Sequence, residues 1–299
     1  MDRVTTLGST NAATGWIASA GSTAAKQREQ VATGVRFEVA SEAPADAANY
    51  LRNQRSLDRM VQLSRNHANA RLWMETGDTA LRDTVTSLTR GRTLAVQGAN
   101  SITTPEARAA IAGDLRAVAG ELRSLSNTTI SGRPIFAGTA STPLAYDDAG
   151  NYLGDNGQVV RNVTTTDSFV VAGTGPQVFG TPDGGDPFNG TVFQILNATA
   201  DAVDAGDVAA TRQGIEAIDA AIGRTQGELG RLGNLSSQLE EISSRNEASQ
   251  ISTQAQISDV RDVDLGEAIV RLRAAESSYE ASLSAAARSL SRSLLDFLR

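Results

Sequence analysis

Asp264-Leu-Gly-Glu-Ala-Ile-Val-Arg-Leu-Arg-Ala-Ala-Glu-Ser-Ser-Tyr-Glu-Ala-Ser-Leu-Ser-Ala-Ala-Ala-Arg-Ser-Leu-Ser-Arg-Ser-Leu-Leu-Asp-Phe-Leu298 advances in steps of four and three along Leu265, Ile269, Leu272, Glu276, Tyr279, Leu283, Ala286, Leu290, Ser293 and Phe297. Alternating steps of this kind keep the positions on one face of an α-helix with a mean repeat near 3.5. The opposite face carries Arg271, Ser278, Ser282, Ser289 and Arg292, and the run has no Pro. A helix of about 33 residues is about 50 Å long. It cannot bury its stripe against itself, so the rest of the chain must supply a partner of matching length.

Composition narrows the choice. The 299 residues can bury a sizeable core, but aromatics are only 4%, which favours closely packed helices. The net charge is −7. Within 131–210, nine aspartates face two arginines, Arg133 and Arg161, so the middle holds the whole net charge. Nothing in this balance points to nucleic acid or to a membrane. The chain has no Cys, which excludes disulfides, thiol catalysis and thiolate metal sites. The N-terminus lacks the basic and apolar blocks of a cleaved signal peptide, and no window reaches 18 continuous apolar residues.

The periodicity predicts a chain that is mainly α with a small inserted β domain. Its long terminal helices form an antiparallel bundle or coiled coil. Residues 1–45 read as a weak helix (Val4, Leu7, Trp16, Ile17) and a turn, with Gly34 ending the helix, Ser41 as an N-cap and Pro44 in the next first turn. Residues 46–130 read as a hairpin of two helices, the second opened by Thr104, Pro105 and Glu106, with Gly77 and Gly91 as weak points. Residues 131–190 read as a β-rich domain with short strands at 134–137, 158–163, 168–171 and 177–179, separated by Gly and Asp turns. Helices return over 191–255 with a break at Gly206, and 256–299 forms the last helix.

Candidate sites are few. His67 is the only histidine, lies beside Arg65, Asn66 and Asn69 without a nucleophile motif, and reads as a surface or edge residue. The acidic stretch 147–157 has Ala149 at a ligand position and no closing Glu, so it reads as a turn and not a calcium loop. No catalytic, cofactor-binding or metal-binding residue is assigned, and no cofactor is expected. The apolar seams remain. The N-terminal segment is too poor in large apolar residues to complete a core with the last helix alone. Packing between copies would supply what one chain lacks.

Several stretches resemble the flagellin family of bacterial flagella. Ser258-Asp-Val-Arg-Asp-Val-Asp264 resembles the run that opens the family's last helix, carried by Asp262 and Asp264. Arg92-Thr-Leu-Ala-Val-Gln-Gly-Ala-Asn100 resembles a helix end marked by Arg92, Gln97 and Asn100. Ser131-Gly-Arg-Pro-Ile-Phe-Ala-Gly138 resembles the entry to the outer domain, marked by Phe136 and Gly138, and its Phe-Ala-Gly form leans toward hook–filament junction members. Arg36-Phe-Glu-Val-Ala-Ser-Glu-Ala-Pro44 keeps Arg36, Ser41 and Pro44 of the family's turn but lacks its paired aspartates, and Pro134 replaces an aromatic.

The resemblance implies a secreted, non-enzymatic subunit of the extracellular flagellum. Such a subunit leaves by type III export with an uncleaved N-terminal signal and becomes ordered on assembly. It would join the hook-associated ring to the filament. Its implied partners are itself in a ring, flagellin, the other hook-associated junction protein and an export chaperone, with no nucleic acid and no membrane. The expected interface comprises Val4, Leu7, Trp16, Ile17, Leu265, Ile269, Leu272, Tyr279, Leu283, Leu290, Leu294 and Phe297. The alternatives are flagellin itself and a secreted binding protein on a helical stalk.

Overall fold

The computed structural model describes the backbone of residues 2–100 and 104–297, and side chains over 11–100 and 104–288. The helices are α1 (Asp2–Thr33), α2 (Pro44–Gly98), α3 (Pro105–Ser126), α4 (Gly175–Phe179), α5 (Val192–Ala205), α6 (Val208–Arg261) and α7 (Leu265–Phe297). The strands are β1 (Thr129–Ile130), β2 (Arg133–Pro134), β3 (Val159–Asn162) and β4 (Ser168–Ala172). The chain is mainly α with a small β region, as its periodicity predicts. It divides into one compact unit of Met1–Arg59 with Ser249–Arg299 and a second of Met60–Ala248.

The helix ends follow local chemistry. Thr104 caps α3, its Oγ1 accepting from the Ala107 N–H at 3.3 Å, with Pro105 at the first helical position. Thr191 and Gln194 form a reciprocal capping box at the start of α5, and Gly206 closes that helix in the left-handed conformation. Ser41 does not cap α2, because the helix starts at Pro44 and Ser41 lies in the preceding exposed turn. Proline suits the first helical position and disfavours helical geometry in the residue before it, which sets this boundary.

In the second unit α2 and α3 run antiparallel. Gly91 of α2 faces Val118 of α3, and the Ser87 hydroxyl donates to Glu121 at 3.1 Å. α5 lies antiparallel to α3, with Arg116 paired to Asp201 at 2.7 Å and Arg108 beside Gly206. Gly91 and Gly98 make room for α5. A Cβ on Gly91 would stand 2.9 Å from Leu196 Cδ2, and one on Gly98 2.6 Å from Val203 Cγ1. Gly91, a weak point in the sequence, is therefore a packing position. The core joins Leu81, Leu88, Leu115, Leu122 and Ile218 to an aromatic cluster of Phe136, Tyr146, Phe179 and Phe193. The Phe136 and Phe179 rings meet edge-on at 5.1 Å, and those of Tyr146 and Phe193 at 5.2 Å. Burial pushes the Tyr152 phenol up to about 12 and the Tyr146 phenol well above its usual value.

The β region is sparser than its sequence pattern predicts. β1 pairs with β2 and β3 with β4, both antiparallel, with Arg161 opposite Phe169. Residues 135–137 do not continue β2, because the Phe136 carbonyl accepts from the Gly175 N–H and lies 3.0 Å from the Tyr152 hydroxyl. Residues 177–179 belong to α4 and not to a strand. The Gln177 side chain accepts from the Thr174 N–H, and Pro176 sits in the first turn, so the segment starts a helix. His67 is not a surface residue. It is only 4% exposed, with Nε2 2.6 Å from the Val163 carbonyl. Chain just beyond β3 lies across this face of α2, and Asn66 and Asn69 bind the same segment at Asn162 O and Arg161 Nε. Two of the polar neighbours that made His67 look solvated, Asn66 and Asn69, are ligands for that segment.

Candidate assembly site

The first unit pairs α1 with α7 in antiparallel fashion. The Arg28 guanidinium holds Glu276 Oε1 at 2.8 and 3.0 Å, so the polar step in the apolar seam is the ion-paired one. Further along, Gly21 lies against the Tyr279 ring, and a Cβ there would come within 3.2 Å of Tyr279 Cε2. Beyond it an open groove of about 480 Å³ is lined by Ala12, Ala13 and Trp16 of α1 and by Ser278, Ala281, Ser282, Ala285 and Ala286 of α7.

This pairing splits the seam. Ala268 and Ala286 are buried, and Ile17, Leu272 and Tyr279 are half-buried. Leu265, Ile269 and Leu283 remain exposed, and Trp16 is 70% exposed. Val270, 67% exposed, and Ile251, 73% exposed, add apolar surface that the seven-residue pattern does not include. Ser282, assigned by the pattern to the polar face, is half-buried and lines the groove. A straight helix with 3.6 residues per turn drifts by about 20° per heptad from a 3.5 repeat, so without supercoiling part of the stripe turns away from one partner over 33 residues. The side chains of Val4, Leu7, Leu290, Leu294 and Phe297 lie outside the described residues.

At the base of the pair two distant stretches meet. Val35 bridges Asp262 in antiparallel fashion, the Arg36 N–H donates to the Arg261 carbonyl at 2.7 Å, and the Val263 N–H donates to the Gly34 carbonyl at 2.9 Å. The Arg36 guanidinium reaches the carbonyls of Asp259 and Val260 at 3.3 and 3.4 Å, where the end of α6 presents unpaired acceptors and the negative end of its dipole. It also lies 4.0 Å from Asp46 in the first turn of α2. Arg261 stacks over the Tyr50 ring at 4.7 Å and bonds its hydroxyl. Asp262 accepts from the Ser258 hydroxyl. Asp264 opens α7, its Oδ1 accepting from the Gly266 and Glu267 N–H groups at 2.8 and 3.2 Å.

The turn manages without paired aspartates. Glu42 accepts from the Glu38 N–H at 3.0 Å and lies 3.4 Å from Lys26. That backbone N–H, aided by Lys26, holds the Glu42 carboxyl below its usual value.

The other family-motif positions lie in the second unit. Arg92 pairs with Asp219 at 2.5 Å, while Gln97 and Asn100 are exposed near the end of α2. Phe136 is buried in the aromatic cluster. Gly138 has φ +70°, and its carbonyl accepts from Arg133 at 3.1 Å. Asp147 binds the N–H and side chain of Asn151, and Asp155 binds Thr139 and the Gly157 N–H, so these carboxylates fasten turns. Among the described residues no group of three or more His, Asp or Glu could hold a metal ion, and no helix is long and apolar enough to cross a membrane.

The meeting of the 34–44 turn with 258–264 explains why two separate motifs mark one structure. The family model for the bacterial flagellin N-terminal helical region matches residues 4–141, and that for the C-terminal helical region matches residues 215–298. "Flagellar hook-associated protein 3" of Escherichia coli is 26% identical, with 86% of this chain and 88% of that protein aligned. Its namesake in Salmonella typhimurium is 29% identical over 54% of each chain, so that alignment spans about half of the relative's length. The crystal structure of the flagellar junction protein FlgL from Legionella pneumophila shares the fold, with TM-score 0.58 at 16% identity over 71% of this chain and 99% of that one. With both terminal regions matched and brought together at one base, the chain belongs to the flagellin family.

Proposed function

We propose that this chain is a structural subunit of the bacterial flagellum that joins the hook-associated ring to the flagellin filament. The observation that carries the reading is the uncovered apolar surface of the paired terminal helices, the seam residues Trp16, Leu265, Ile269 and Leu283 with Val270 beside them. Ordering a terminal helix costs about 1–2 kcal/mol per residue in backbone entropy. The α1–α7 contact alone, built on small residues, the half-buried Ile17, Leu272 and Tyr279 and one exposed ion pair, offsets only part of it. Burial of the exposed seam against neighbouring copies supplies the remainder. Relatives named as hook-associated proteins favour the junction over the filament itself.

In this reading the chain acts without catalysis. Its interface adds Val4, Leu7, Leu290, Leu294 and Phe297 to the exposed seam, and 131–190 forms an outer domain turned to solvent. It reaches the cell exterior by flagellar type III export with the help of a chaperone. Its partners are copies of itself in a ring, flagellin and the other hook-associated junction protein.

The test is to seed the purified chain with filament fragments and with hook-type ends, following growth by electron microscopy and protease resistance. The expected result is a monomer with protease-sensitive ends that caps only hook-type ends and becomes protected there. Long filaments of this chain alone would identify a filament subunit instead. Full protection of both ends in the monomer would remove the assembly reading.

A further inference from the structure

Arg133 on β2 and Arg161 on β3 are the only two cations of the acidic 131–210 segment, and they converge. Their guanidinium carbons lie over the ring of buried Trp73 at 5.8 and 5.3 Å from its centroid. Neither belongs to an ion pair among the described residues. Arg161 donates to Asn69 Oδ1 at 2.6 Å and to the Val160 carbonyl at 2.9 Å, and Arg133 donates to the Gly138 carbonyl at 3.1 Å. These neutral acceptors fix the two forks in place and leave donors over. Arg133 Nε is buried and without a partner. Burial, and then the charge of Arg133, push the Arg161 guanidinium below its usual value.

Two like charges held together in partial burial destabilise one another unless an anion lies between them. The ring face offsets part of this cost but brings no negative charge. We infer that Arg133, Arg161 and Trp73 form a carboxylate-binding site in the second unit. A carboxylate suits the planar forks, which bind it through paired hydrogen bonds. The carboxylate comes either from a free organic acid or from an aspartate or glutamate of a second copy. The site itself stands independently of the assembly reading, and only the second source rests on it.

The test uses the full chain with Trp16→Phe, which leaves Trp73 as the only tryptophan. Succinate is titrated at constant ionic strength against chloride, following Trp73 emission. The expected result is a saturable change with succinate that chloride does not reproduce, and an affinity about tenfold or more weaker in Arg161→Gln. A response equal to that of chloride, or one unchanged in Arg161→Gln, overturns the site. If Arg161→Gln loses the native Trp73 emission before titration, Arg133→Gln and Arg161→Lys ask the same question. A lysine keeps the charge but loses the fork, and weakened binding is expected there too. The source is read by seeded assembly of the chain with Trp16 intact. Succinate slowing assembly in the parent but not in Arg161→Gln identifies a second copy, whereas saturable binding without effect on assembly identifies a free acid.

Discussion

One methyl group at residue 98 has nowhere to go. The Cβ of an alanine there would stand 2.6 and 2.7 Å from the two methyl carbons of Val203, whose side chain is buried. A β-branched residue in a helix has essentially one rotamer, so Val203 cannot swing aside. Gly98→Ala is expected to destabilise the second unit by about 1–2 kcal/mol, since overpacking outweighs the small gain at a helix end. Urea unfolding followed by Trp73 emission checks it, and the cost should vanish in a Val203→Ala background. Asp155 gives a prediction about acid. The Thr139 hydroxyl and N–H, each 2.6 Å from its carboxylate, hold it below the usual range. A folded value below the unfolded one contributes stability above about pH 3.9 that is lost as the pH falls through the folded value. Near-UV circular dichroism of the tyrosine cluster is expected to lose intensity below about pH 4, and less steeply in Asp155→Asn. None of this was legible in the sequence. Gly91 looks like a weak helix position, and nothing singles out Gly98, until α5 lies against them, and the partners of Asp155 sit across a loop.

Elements were more legible than residues. Thr104-Pro-Glu, Pro44 and Gly206 mark helix ends through short-range chemistry that any sequence shows, and the structure places the ends there. The strands were less legible, because 134–137 and 177–179 carry β-type residues whose carbonyls and caps are claimed by tertiary partners. The same holds for His67, buried by a segment almost a hundred residues away. At the start of α7 the prediction concerns the cap. Asp264 satisfies two N–H groups that the helix cannot satisfy itself, and its charge meets the positive end of the dipole. Asp264→Ala is expected to cost the first unit about 1 kcal/mol. Hydrogen exchange in the first turns of α7 should quicken about fivefold, while Trp73 emission in the second unit stays unchanged.

For the molecule as a whole, the mainly helical class and the pairing of the two termini could be read from one seam of the last helix. Which seam residues would face α1 could not, because that depends on drift between helix period and repeat. Leu283 is exposed beside the groove, and Leu283→Asp removes no buried contact within the chain. Under the proposed function the variant is expected to keep its monomer stability within about 0.5 kcal/mol. Cells carrying it should lose motility and release the subunit into the medium. Normal swimming would count against the seam as an interface. The bond between Arg36 and Asp259 spans 223 positions of chain. Closing so long a loop is entropically slow, and local contacts form first. The base of the terminal pair is therefore a completeness gauge. A chain still being synthesised, or one cut short before 258, has nothing for Arg36 to close upon. Its first helix lacks this register contact without the stretch from 258 onward, so only a chain that carries both stretches can present both halves of the seam at once.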